Sequence, residues 1–210
     1  MRPTLTRRQT LAAALIVAAV PKLALAQGAP AASAGPAVPD MAIGDPKAPV
    51  TVIEYAMFTC PHCADFYRDV FPKLKAEYID TGKVRLVFRE VYFNRPSLWA
   101  AMIARCAPAD RYFGIADVLF ATQMDWAAQT DEQVMIQKLY AIGRQAGLSD
   151  KEMDACMQDR GFAEALVAAY QKNSAADKID ATPTFIVNGT KVDNVPWDEF
   201  KAKIDAALGA

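Results

Sequence analysis

Apolar positions change their period several times along the chain, and each change predicts an element. Val50 to Phe58 (VTVIEYAMF) is apolar on both alternating faces, with Val50, Val52 and Ala56 on one and Ile53, Tyr55 and Met57 on the other. Such a run predicts a strand buried on both sides. Glu54 interrupts it with an acid. Beyond Cys60 the period lengthens: Cys63, Phe66, Tyr67, Val70, Phe71 and Leu74 fall on one helical face. Pro61 suits the first helical position, where its missing N–H would be unpaired anyway. Pro72 is expected to kink the helix by removing the bond to the Arg68 carbonyl, and Gly82 to end it. Val84 to Phe88 (VRLVF) predicts the next strand. Strand, helix, strand in this order predicts a βαβ unit with parallel pairing.

Residues 96–178 read as entirely helical. Leu98, Met102 and Cys106 share a face, and so do Met135, Leu139, Ile142 and Ala146, with Gly147 closing that helix. Thr130-x-x-Gln133 and Ser149-x-x-Glu152 have the form of capping boxes. Met153, Cys156 and Met157 continue the pattern. Phe162, Leu166, Ala169 and Tyr170 mark a last long helix. The tail returns to strands: Thr184 to Val187 and Thr190 to Val192 flank Asn188-Gly189, a strong two-residue hairpin signal. Pro196 to Leu208 closes as a helix with Trp197, Phe200, Ile204 and Leu208 inward. The fold class is α/β, residues 41–95 and 179–210 forming one domain that a helical insertion, 96–178, divides. The last insertion helix is a candidate to pack on that domain.

The N-terminus carries a different signal. Arg2, Arg7 and Arg8 precede an apolar run from Leu11 to Val20, and Ala24-Leu25-Ala26 fits an A-x-A cleavage site. This order predicts a secretory signal peptide over residues 1–26. Thr6-Arg7-Arg8-Gln9-Thr10-Leu11 partly matches a twin-arginine signal, with Thr10 where a large apolar residue is usual, so Tat and Sec export both stay open. Residues 27–40 (QGAPAASAGPAVPD) read as a flexible linker. Removing residues 1–26 takes four of the 23 Lys+Arg and none of the 24 Asp+Glu, leaving a formal charge of about −5. No basic patch is visible, which argues against nucleic acid and anionic membrane surfaces as partners.

The candidate chemistry lies in Cys60-Pro61-His62-Cys63, which holds two of the four cysteines and the single histidine. A structural zinc site needs four ligands, usually in two pairs, and the sequence has no second pair. Covalent haem needs His after the second Cys, where Ala64 stands. A C-x-x-C disulfide used as a staple closes too small a loop to stabilise much. Redox catalysis fits better. A Cys at a helix N-terminus faces unpaired N–H groups and the positive end of the dipole, which lowers a thiol pKa from its free value of ~8.5. His62 can add a hydrogen bond or a charge. Cys60 is expected to be the exposed nucleophile and Cys63 the buried resolving thiol.

At these residues the chain resembles the DsbA family of periplasmic thiol oxidases, within the thioredoxin superfamily. The Pro61-His62 dipeptide and the helical insertion both match it, over the chain from about Met41. The resemblance implies a thioredoxin fold with a helical insertion, and a redox-active Cys60–Cys63 disulfide with no metal or organic cofactor. It implies a buried acid at Glu54 that exchanges a proton with Cys63. It also implies a cis bond at Thr182-Pro183, on a loop facing the cysteines that pairs with extended substrate chains. Thr182 departs from the Val of the strongest oxidase and is more typical of isomerase relatives. The expected function is disulfide donation in the periplasm to unfolded or partly folded exported proteins, by a monomer that a membrane partner reoxidises. A disulfide isomerase or reductase is the alternative, and a non-catalytic secreted binding module a distant one. Cys106 and Cys156 lie on apolar helix faces of an exported chain, which favours a structural disulfide over two buried free thiols. Intact-mass measurement of the exported form is expected to place its first residue at Gln27.

Overall fold

The computed structural model describes residues 38–209. The signal peptide and linker residues 27–37 lie outside the described residues. A five-stranded sheet is built from β1 (Met41–Ile43), β2 (Val50–Ala56), β3 (Val84–Glu90), β4 (Thr184–Val187) and β5 (Thr190–Val192). Their spatial order is β1-β3-β2-β4-β5. The β2–β3 pair is parallel, as the βαβ reading requires, and the other pairs are antiparallel. β1 was not foreseen, because three residues are too few to show a period. The hairpin turns at Asn188 (φ 43°) and Gly189 (φ 87°), the left-handed pair that a two-residue loop needs.

The two faces of β2 bury different things. Val50, Val52, Glu54 and Ala56 share one face. The apolar three of them join the main core with Phe66, Leu86, Phe88, Phe185 and Phe200. Tyr55 turns to the other face and packs with Val91 and Ile186, with Tyr170 and Ile179 at the edge. This satisfies the two-sided apolar pattern read in the sequence.

The helix after Cys60 is in three pieces. α1 (Pro61–Asp69) stops at Val70, α2 (Phe71–Leu74) carries Pro72 in its first turn, and a π turn spans Lys75–Ile79. Pro72 thus breaks the helix rather than kinking it, since its ring and missing N–H are tolerated only in a first turn. Gly82 follows at φ 73°.

Helices fill the stretch between β3 and β4. They are α3 (Arg95–Cys106), α4 (Tyr112–Ala121), α5 (Gln123–Trp126), α6 (Glu132–Gln145), α7 (Asp150–Met157) and α8 (Arg160–Asp177), with a 3₁₀ turn at Ala109–Arg111. Ser149 and Glu152 form the full capping box expected of them. Thr130 does not cap α6. Asp131 does, accepting from the N–H groups of Gln133 and Val134, because its carboxylate sits one residue closer to the first turn. α9 (Trp197–Leu208) closes the chain with Phe200 and Ile204 buried. Among the described residues no helix is long and apolar enough to cross a membrane.

Two charged networks join the insertion to the sheet. Glu90 at the end of β3 receives Arg105 of α3 through two parallel bonds and accepts from Tyr112 at 2.7 Å. The pair is buried, and a fork-to-fork geometry with an added donor is what makes a buried ion pair tolerable. Arg89 binds Asp40 at 3.0 Å, Tyr55 at 2.8 Å and Asp177 of α8 at 3.2 Å. Arg105 also donates to the Pro39 carbonyl at 3.0 Å. At the end of the stretch read as linker, Pro39 and Asp40 are thus hydrogen-bonded by Arg105 and Arg89.

Cys106 and Cys156 form a disulfide between α3 and α7, with Cα atoms 5.9 Å apart and a sequence separation of 50. Replacing both by Ala is expected to lower the unfolding free energy by about 4 kcal/mol, the loop-closure value for that span. Urea denaturation without reductant, with Cys60 and Cys63 replaced by Ser in both proteins, measures it; an unchanged midpoint would contradict the assignment.

Candidate active site

β2 ends at Ala56 and α1 begins at Pro61, so the intervening turn delivers Cys60 to the helix N-terminus. Cys60 is the N-cap, with φ −84° and ψ 119°. Its carbonyl accepts from the N–H of Cys63 at 3.1 Å and of Ala64 at 3.2 Å. Pro61 holds the first helical position and contributes no competing N–H. The Cys60 sulfur is therefore held beside the unpaired N–H groups of the first turn, at the positive end of the helix dipole.

The Cys60 thiol is lowered to about 5. A hydrogen bond from Cys63 contributes most. The Thr182 side chain and the backbone N–H groups of Cys63 and His62 add to it, while burial opposes the shift. The protonated thiol has one contact of its own, donating to the Thr182 carbonyl at 3.3 Å. Cys63 behaves oppositely. Burial pushes its thiol far up, and the neighbouring Cys60 and Glu54 push it further. At neutral pH one sulfur is a thiolate and the other is the thiol that donates to it.

Cys60 is 7% exposed, against the expectation of an exposed nucleophile. The reason is the Thr182–Pro183 loop, which lies against it from a distant part of the chain. The Thr182–Pro183 bond is cis, and Pro183 is buried at the start of β4. His62 points outward, its side chain 73% exposed and its Nδ1 3.8 Å from Asp65. Its backbone N–H serves the Cys60 thiolate, rather than a bond from the imidazole.

Glu54 is fully buried. Its ladder partners are Phe88 on β3 and Phe185 on β4, and the ring of Phe66 on α1 lies tilted against Phe185, centroids 4.7 Å apart. Neither carboxylate oxygen has a hydrogen-bond partner among the described residues. Burial raises its pKa well above the ordinary carboxylate range, which favours the protonated form. Its field acts on Cys63. The structure thus brings Glu54, Cys60, Pro61, Cys63, Thr182 and Pro183 together, and leaves Cys106 and Cys156 in the packing of the insertion. Among the described residues no cluster of three or more His, Cys, Asp or Glu side chains is arranged to hold a metal ion.

Several residues at this site escaped the sequence reading. Tyr67 counted as a core position, yet its hydroxyl is buried without a partner among the described residues and lies within the field of Glu54. Asn94, Ser97 and Gln123 hold the Cys60 turn from the insertion. Asn94-Arg95-Pro96-Ser97 does carry a legible N-cap signal. Gln123 carries none, being one amide after an apolar helix.

The family model described as Thioredoxin matches residues 37–206. The crystal structure of Wolbachia pipientis alpha-DsbA1 is similar at 30% identity and TM-score 0.75, covering 83% of this chain and 94% of that one. Disulfide bond formation protein D of Bacillus subtilis is 29% identical, over 87% of this chain and 83% of its own. A provisionally named protein-disulfide oxidoreductase of Rickettsia typhi is 34% identical over 80% of this chain, which spans only 62% of that relative's length.

The depressed Cys60 pKa makes the stability of the reduced form depend on pH. A thiol lowered on folding stabilises fully above its ordinary value of 9.0 and loses that contribution as pH falls toward about 5. The oxidised form has no thiol here to titrate. Reduced minus oxidised stability, from urea midpoints, is therefore expected to rise between these two values; a flat difference would contradict the assigned thiolate.

Proposed function

The chain is a DsbA-like member of the thioredoxin family, and we propose that it is a periplasmic thiol:disulfide oxidoreductase that introduces disulfides into exported proteins. One observation carries the reading: a Cys60 sulfur held as thiolate at a helix N-terminus, with Cys63 buried behind it and the cis-proline loop against it. In the oxidised state a substrate thiolate attacks the Cys60 sulfur. The Cys60–Cys63 bond breaks, and the electron pair leaves on Cys63, which takes a proton from the buried Glu54. A second substrate thiolate then attacks the substrate sulfur of the mixed disulfide, and Cys60 departs as thiolate. A low-pKa thiol is the better leaving group, so this second step is fast and the reduced enzyme is the favoured product.

Direction follows from the same stabilisation. Whatever holds the Cys60 thiolate stabilises the reduced form and makes the disulfide more oxidising. Thr182, the residue that favours an isomerase in the family comparison, here contributes to that stabilisation through its side chain. The reduced site needs a reoxidant, for which a membrane partner is the proposal. Export is supported by the signal-like sequence of residues 1–26 and by the Cys106–Cys156 disulfide, which belongs to an oxidising compartment.

Oxidised protein mixed with a reduced, unfolded dithiol substrate is expected to form the substrate disulfide and emerge reduced. The Cys63→Ser variant, first activated at Cys60 as a mixed disulfide with a small thiol, should pass its substrate through without resolving it internally. Glu54→Gln, which can neither give nor take the proton, is expected to slow release from Cys63 roughly a hundredfold, the low end for general acid–base catalysis. Stopped-flow exchange kinetics across pH decide this; a rate equal to wild type at every pH would remove Glu54 from the mechanism.

A further inference from the structure

The turn that carries Cys60 is gripped from outside its own half of the fold. Ser97 Oγ on α3 accepts from the Phe58 N–H at 3.2 Å and donates to the Val91 carbonyl at 3.1 Å. Asn94, the cap of α3, accepts from the Ser97 N–H at 2.9 Å and donates from Nδ2 to Thr59 Oγ1 at 2.8 Å. Gln123 opens α5 and donates from Nε2 to the Phe58 carbonyl at 2.8 Å and to the Cys60 carbonyl at 2.9 Å. All three side chains come from the helical insertion or its first cap.

Gln123 stands apart from the other two. Its amide is 5% exposed, and both bonds of its nitrogen go to the nucleophile's turn. The Cys60 carbonyl already accepts from Cys63 and Ala64, so Gln123 is a third donor on the oxygen that begins α1. Pinning the carbonyls at 58 and 60 fixes the peptide plane that enters Thr59 and the one that leaves Cys60. Those planes set the direction in which the Cys60 sulfur leaves the backbone. Without the amide, the buried Phe58 carbonyl would lose its donor, and a buried unpaired carbonyl is costly enough for the turn to rotate toward another.

We infer that Gln123 is a positioning residue for thiol–disulfide exchange: from the insertion, it aims the Cys60 sulfur at the N–H groups of the first turn of α1. The inference rests on Cys60–Cys63 being the exchanging pair. It gives the insertion a part in the chemistry besides covering the site. An amide does not titrate, so the clamp itself adds no pH dependence of its own.

The test uses the full mature protein with Gln123→Met, which keeps the length of the side chain and loses the donor, and Gln123→Asn, which keeps the amide but is one methylene too short. Thiolate absorbance against pH reads the Cys60 titration, and equilibration with glutathione reads the disulfide balance. Both variants are expected to raise the Cys60 pKa and to shift the glutathione equilibrium roughly tenfold toward the oxidised protein, the size expected from losing one or two hydrogen bonds. Trp126→Phe is the control. Trp126 is on the same short helix as Gln123, and the change removes its 2.8 Å bond to the Leu119 carbonyl of α4, not a bond to the turn. It should lower the urea midpoint and leave both thiol measurements at wild-type values. Gln123 variants that lose stability while their Cys60 titration and glutathione equilibrium stay at wild type would overturn the inference. A wild-type protein whose Cys60 neither titrates low nor exchanges with glutathione would instead defeat the exchange reading itself.

Discussion

Everything at this site depends on placing one sulfur at the end of a helix that starts almost directly from a buried strand. The first turn of α1 has N–H groups with no helical partner, and Cys60 is the residue that faces them. A thiolate there has hydrogen bonds and a favourable dipole; a disulfide or thiol uses them far less. Cys63, one turn further in, has burial and no such compensation. The contrast between the two sulfurs is therefore a contrast of position, and chemistry follows from it without a metal ligand set or an organic group being needed to explain it.

The same short connection creates a difficulty that the fold resolves elsewhere. A turn of a few residues between β2 and α1 has little packing of its own. It is held by polar contacts from Asn94, Ser97 and Gln123 and covered by the Thr182–Pro183 loop. Beneath it, Glu54 is buried between its ladder partners Phe88 and Phe185, and burial raises its pKa.

The insertion is tied down by strong links. The Cys106–Cys156 disulfide joins two of its helices, and the Glu90–Arg105–Tyr112 cluster fixes α3 and α4 to the end of β3. Arg89 ties α8 to the sheet and to Asp40. These links anchor the helices from which Gln123 on α5 reaches the turn in the other half of the domain. Looser packing would leave those hydrogen bonds to chance.

The sequence by itself determined what local periodicity and residue chemistry can carry. The two-sided apolar run fixed β2, the 3.6-residue period and Pro61 fixed α1, and Asn188-Gly189 fixed the hairpin. The C-x-x-C at a helix start indicated a redox pair because the N-terminal N–H groups of a helix are present whatever it packs on. The tertiary structure decided what depends on residues distant in the chain. It put Thr182 against Cys60, so the nucleophile is covered rather than exposed. It buried Glu54 completely, which a strand pattern alone does not distinguish from an acid at a sheet edge. It made Asp131 the cap in place of Thr130 and broke the helix at Val70, where two good local signals competed. It brought in Gln123, because hydrogen bonds across more than sixty residues leave no period to read.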